Sequence, residues 1–99
     1  MLTLDAFKEA RSVLQGVLLP TPLIHSPYLS KLCGNHVYLK PENMQVTGAY
    51  KIRGAYFKIS TLSPEEKERG LITASAGNHA QGVAYAAQAA GVEATIVMP

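Results

Sequence analysis

LITASAGNHAQGVAYAAQAAGVEATIVMP, residues Leu71 to Pro99, decides the fold. Leu71 to Ser75 has the composition of a strand, and Ala76 and Gly77 make a tight small-residue turn. A helix is expected from about Asn78 to Ala90, with Gly91 in the position where a left-handed cap ends it. Thr95 to Met98 then returns to β-prone residues. Strand, helix and strand at this spacing predict a βαβ unit with parallel strands, so the fold class is α/β.

Upstream, Ser63-Pro64-Glu65-Glu66 reads as a capping box with proline at the first helical position, and Gly70 supplies the stop. From Tyr50 onward, Ile52, Ala55, Tyr56 and Ile59 follow helical spacing and predict an amphipathic helix whose N-terminus holds Lys51. PENMQVTG before it reads as a loop, and Val37 to Lys40 as a strand that Pro41 ends. Ser26 and Pro27 open a short helix that Gly34 closes. Pro20 and Pro22 impose an extended segment around Thr21. Thr3 can cap a first helix, with Phe7, Ala10 and Leu14 on one face and an end near Gly16.

The 99 residues carry nine basic and seven acidic side chains, a formal net charge of +2, with no run of one sign. This argues against nucleic-acid and membrane-surface binding. The 47% hydrophobic content fits a soluble globular protein, and VLLPTPLI, Val17 to Ile24, is too short and too broken by proline to span a bilayer. No basic-then-apolar leader stands at Met1, so a cytoplasmic location is expected. Cys33 has no partner cysteine, which suits a reducing compartment. It reads either as a catalytic thiol or as a small buried side chain in a short helix. Three histidines without ligand spacing give no metal site.

Two stretches could carry chemistry. In TGAYKIRGA, Thr47 to Ala55, the Lys51 ammonium would face the positive end of a helix dipole, and partial burial would also favour the neutral amine that a nucleophile needs. Arg53 is near enough to add positive potential. The other reading is a solvated surface lysine. In ASAGNHAQG, Ala74 to Gly82, a strand runs through small residues into a helix start, where backbone N–H groups converge on a place for a carboxylate or phosphate. The Ser75 hydroxyl and Asn78 amide can add directed hydrogen bonds. The other reading is an ordinary turn in which Asn78 caps the helix and His79 is solvated. Together, a potentially neutral lysine and an asparagine-bearing anion loop supply the parts for an aldehyde cofactor and an amino-acid carboxylate.

TGAYKIRGA followed by ASAGNHAQGVA resembles the serine/threonine dehydratase family of pyridoxal-phosphate (PLP) enzymes, in particular its threonine-deaminating branch. TPL at Thr21 to Leu23, YLKPEN at Tyr38 to Asn43 and ATIVMP at the end extend the likeness over essentially the whole chain. The resemblance implies a fold-type II PLP enzyme, similar to the tryptophan synthase β subunit, of which this is the N-terminal portion. It places the cofactor-bearing lysine at Lys51 and a ring at Tyr50 that could pack beside the cofactor. It assigns Asn78 to the cofactor 3′-oxygen, and Ser75, Ala76, Gly77, Asn78 and His79 to the loop that holds the substrate carboxylate. Gln81 matches as well. The chain departs from the family at Ala49, where serine is usual, and at Tyr50, where phenylalanine is usual.

The implied reaction converts L-threonine to 2-oxobutanoate and ammonia, with L-serine to pyruvate as companion. The implied substrate is a small amino acid and the full-length assembly a homo-oligomer. Residues 1–68 would belong to the larger cofactor domain and residues 69–99 would begin a smaller, mobile one. The glycine-rich phosphate loop would lie beyond Pro99, so these residues alone are expected to be inactive. Serine racemase or a serine dehydratase of the same fold type would share Lys51 and Asn78. A non-catalytic small-anion-binding α/β module would use only Ala74 to Gly82.

Overall fold

A computed structural model describes all residues from Met1 to Pro99. Its helices are α1 (Leu4–Leu14), α2 (Pro27–Cys33), α3 (Ile52–Ser60), α4 (Pro64–Glu68) and α5 (Asn78–Ala90). The strands are β1 (Ile24–His25), β2 (Tyr38–Leu39), β3 (Leu71–Ala74) and β4 (Ala94–Val97), and a single 3-10 turn spans Glu42–Met44.

The βαβ unit forms as its residues predict. β3 and β4 are parallel, with Leu71 opposite Ala94, Ile72 opposite Thr95, Thr73 opposite Ile96 and Ala74 opposite Val97. Gly91 ends α5 in the left-handed conformation, at φ 66°, which a glycine adopts without a Cβ clash. β3 stops one residue earlier than expected because Ser75 turns away to cap α5, although its N–H still donates to the Val97 carbonyl at 3.0 Å. Strand alternation leaves Leu71, Thr73, Ala94 and Ile96 half-buried, and Ile72, Ala74, Thr95 and Val97 exposed.

The core is a seam between α3 and α5. Ala55, Ile59, Val83 and Ala86 form a buried cluster, with Tyr56, Leu62, Leu71 and Ala94 packed on its edge. Ile52, next to Lys51, is 0% exposed. Small residues on α5 let the helices approach closely. A Cβ added at Gly82 would lie 3.4 Å from each of the Ala55 Cβ, the Ile52 N and the carbonyl carbon of Lys51. Gly82→Val is therefore expected to overpack the seam and cost about 1–3 kcal/mol, read as a lower melting temperature. An unchanged Tm would mean that the helices separate freely there. The radius of gyration is 16.3 Å, against about 13 Å for a compact domain of this length. Of the 99 residues, 12 are buried.

The N-terminal part is more lightly packed. Thr3 caps α1 by accepting from the Ala6 N–H at 3.3 Å, and the helix ends at Leu14, the residue of that face that is buried. β1 pairs antiparallel with β2, Ile24 opposite Leu39 and His25 opposite Tyr38, so the extended segment after Pro22 is a strand. Ser26 and Gly34 cap α2 as expected. Cys33, read as a small buried side chain, is instead exposed, because no residue of α2 is buried; its thiol donates to the Leu29 carbonyl. No helix is long and apolar enough to cross a membrane.

Candidate active site

Lys51 is the N-cap residue of α3, with helical backbone angles of φ −64° and ψ −20°. Its carbonyl accepts from the Ala55 N–H at 3.1 Å, so its main chain already belongs to the helix. Its side chain is exposed rather than partly buried, and it makes no hydrogen bond or ion pair within the chain. A fixed backbone therefore carries an unengaged amine. Tyr50, beside it, is also exposed.

The second stretch lies at the N-terminus of α5. Gly77 is the N-cap position and Asn78 the first helical residue, so Asn78 does not cap the helix. That role falls to Ser75, whose Oγ accepts from the N–H groups of Gly77 and Ala80, both at 3.3 Å. The N–H groups of Ala76, Asn78 and His79 have no acceptor within the chain, and the exposed Asn78 amide is also unbonded. The Ser75 hydroxyl proton remains to be donated outward. Ser75→Ala should cost about 1 kcal/mol by loosening the first turn of α5, measured by chemical denaturation. No loss of stability would show that the cap is not needed.

Contact at Gly82 relates the two stretches, since Gly82 is one turn beyond Asn78 and lies against the main chain of Lys51 and Ile52. His79 also lines a groove of about 250 Å³ with Lys58, Leu62, Thr73 and Gly54 on the flank of α3.

A third group was not legible in the motifs. Arg53, two residues after Lys51, makes a bidentate fork with Glu42, Nε to Oε2 and Nη2 to Oε1, both at 2.7 Å. The Thr21 hydroxyl donates to the same Oε1, and Lys40 donates to the Thr21 carbonyl while lying 4.0 Å from the Glu42 carboxylate. Three stretches of chain are tied here: TPL, YLKPEN and the start of α3. The buried Gln45 adds a two-point pairing with Leu19, donating to its carbonyl at 2.9 Å and accepting from its N–H at 3.1 Å. Arg53 therefore does not add free positive potential at Lys51, because Glu42 neutralises it. Inside the loop so formed, Ala49 is buried and the Thr47 hydroxyl oxygen is buried without a partner.

The Arg53 hydrogen bonds, opposed by burial and helped by Thr21, hold the Glu42 carboxyl down from an ordinary 4.5 to about 2. A folded-state value below the unfolded one gives stability that is present in full above about pH 4.5 and lost as pH falls through about 2. The difference corresponds to at most about 3 kcal/mol. Glu42→Gln should flatten the stability-against-pH curve between about pH 5 and 2, measured by urea denaturation. A curve that keeps its slope in that window would place the acid sensitivity elsewhere.

An α/β chain with an unengaged lysine at one helix start and an amide-bearing donor cluster at another defines the class. Residues 14–99 match the family described as pyridoxal-phosphate dependent enzyme, and the chain belongs to it. All of the chain aligns with an L-threonine ammonia-lyase of Thermotoga maritima at 58% identity, covering 25% of that protein. The solved structure of threonine deaminase isoform 2 from Solanum lycopersicum, in its processed form, superposes with a TM-score of 0.76 at 46% identity over 91% of this chain and 24% of its own. Dictyostelium discoideum serine racemase does so with 0.91 at 37% identity over 99% and 32%. The chain thus spans about a quarter to a third of the relatives it matches.

The residues present fit the reactive end of the family's cofactor. The Lys51 amine is unengaged, the Asn78 amide has free donors, and Gly82, which carries no side chain, lies against the main chain of Lys51 and Ile52. The three N–H groups without acceptors suit a carboxylate at the mouth of the same helix.

Proposed function

We propose that the protein deaminates L-threonine to 2-oxobutanoate and ammonia, and L-serine to pyruvate and ammonia, with pyridoxal phosphate held through Lys51. The observation that carries this reading is the free Lys51 amine on a fixed helix start, with the donor-bearing end of α5 packed against it at Gly82. Identity of 58% to a threonine ammonia-lyase supports threonine as substrate.

In this reading the Ala76, Asn78 and His79 N–H groups and the Ser75 hydroxyl hold the substrate carboxylate, which aligns the Cα–H bond for cleavage. The Asn78 amide would donate to the cofactor's 3′-oxygen, and Tyr50 would pack beside its ring. With its amine free, Lys51 would take the Cα proton as general base. Pyridoxal phosphate, when bound, would supply an electron sink for the charge left at Cα, so that the β-hydroxyl can leave as water; hydrolysis of the released enamine takes that water back and frees ammonia. Residues 1–68 would form part of the cofactor domain and residues 69–99 the start of the smaller one.

Borohydride reduction of the full-length protein with pyridoxal phosphate, followed by peptide mapping, tests the reading. A pyridoxyl mass on the peptide containing Lys51 supports it, whereas no adduct there favours a non-catalytic anion-binding module. The serine racemase likeness gives the second reading, which shares Lys51 and Asn78. Incubation with L-serine separates the two: pyruvate is expected, and D-serine as main product would overturn the deaminase assignment. The 99 residues alone are expected not to turn over threonine, and turnover by the purified piece with added cofactor would overturn that.

A further inference from the structure

We propose that Arg53 and Glu42 are positioning residues for Lys51: their fork closes the loop from 42 to 53 and so fixes the direction in which the first turn of α3 presents the Lys51 amine. The inference rests on the reading of Lys51 as the cofactor-bearing residue.

Four observations lead to it. The fork joins residues 11 apart in sequence, and Lys51 lies inside the closed segment, two residues from its end. Both guanidinium-to-carboxylate bonds are 2.7 Å, and a planar fork constrains orientation as well as distance. The carboxylate is itself held, since its side chain is only 16% exposed and Oε1 accepts from Thr21 as well. The opposite flank of the segment is pinned by the Gln45 pairing with Leu19, and the Gly48 N–H donates to the Gln45 carbonyl at 2.8 Å.

The Lys51 side chain itself is tied to nothing, so its direction is inherited from its Cα. On α3, residues 51 and 53 do not face each other, which keeps the guanidinium clear of the amine while both share one helical turn. The device therefore separates two needs that conflict in a single side chain: a lysine that is free to react and a lysine that is held still. Glu42 also cancels the Arg53 charge, so the fork positions Lys51 without adding an uncompensated cation next to it.

The test uses the full-length protein and Arg53→Lys, which retains the charge but cannot form the fork, together with Glu42→Gln. Each is incubated over a range of pyridoxal phosphate concentrations, reduced with borohydride and digested, and the label on every lysine peptide is quantified. Melting curves define a temperature at which all variants are folded. The expected result is a roughly tenfold rise in the concentration that half-labels Lys51 in Arg53→Lys, a smaller rise in Glu42→Gln, and unchanged labelling of Lys8, Lys31 and Lys58. Labelling of Lys51 with wild-type concentration dependence in the folded variants would overturn the proposal. So would a rise in labelling shared by the other lysines, because that reports general loosening. Absence of label on Lys51 in the unsubstituted protein would instead remove the underlying reading of the site. If Arg53→Lys does not fold, Glu42→Gln decides, since it keeps the shape and one acceptor oxygen.

Discussion

Lys51→Ala is expected to lower deamination by at least about 10²–10⁴-fold while leaving the melting temperature nearly unchanged. On the proposed reading, the loss follows from removing both the amine that would hold the cofactor and the general base for the Cα proton, and base removal alone is worth that range. The unchanged stability follows from the structure: the side chain is exposed, bonds to nothing and caps no N–H group of α3, so alanine removes no contact there. Exposed substitutions of this kind usually stay within about 0.5 kcal/mol. Rate and denaturation measurements on the same preparation check both halves. A variant that keeps more than a tenth of the activity would remove Lys51 from the chemistry. One that unfolds would show that the lysine supports the fold.

The neighbouring residue should behave in the opposite way. Ile52→Ala is expected to cost about 2–5 kcal/mol of stability, because Ile52 is fully buried and deletion of its branched side chain leaves a cavity at the α3–α5 seam. Chemical denaturation of the full-length protein measures it, and a cost below about 1 kcal/mol would mean that the site collapses to fill the gap or that the seam contributes little. Activity per folded molecule should fall much less than in Lys51→Ala. Two consecutive residues would then divide one helix start between reactivity and support.

The local elements were legible in the sequence because their signals are local. Ser63 with Glu66 forms the capping box, Gly34 and Gly91 adopt the left-handed cap, and Asn78–Ala90 is helical to the residue. Lys51 stands at its helix start as the spacing required. Signals that depend on tertiary packing were less visible. The cap of α5 came from Ser75, upstream of the helix itself, rather than from Asn78. Cys33 turned out exposed because burial depends on what packs against α2, which its own residues do not state. The Glu42–Arg53 fork crosses a turn and a loop, so no periodicity joins the two residues. The unassigned motifs TPL and YLKPEN did contain its parts, and a glutamate and an arginine flanking a reactive lysine was the available hint.

Gly82 has a mechanical consequence. Where two helices touch at a residue without a side chain, that contact is the natural fulcrum for any tilt of one against the other. Asn78 lies four residues from it, a lever arm of about 6 Å. A tilt of about 10° would thus carry the first turn of α5 by only about 1 Å relative to Lys51. The far end of α5, at Ala90, is about twice as distant and would sweep about 2 Å. Any such tilt would therefore move the Asn78 end of the helix about half as far as the Ala90 end.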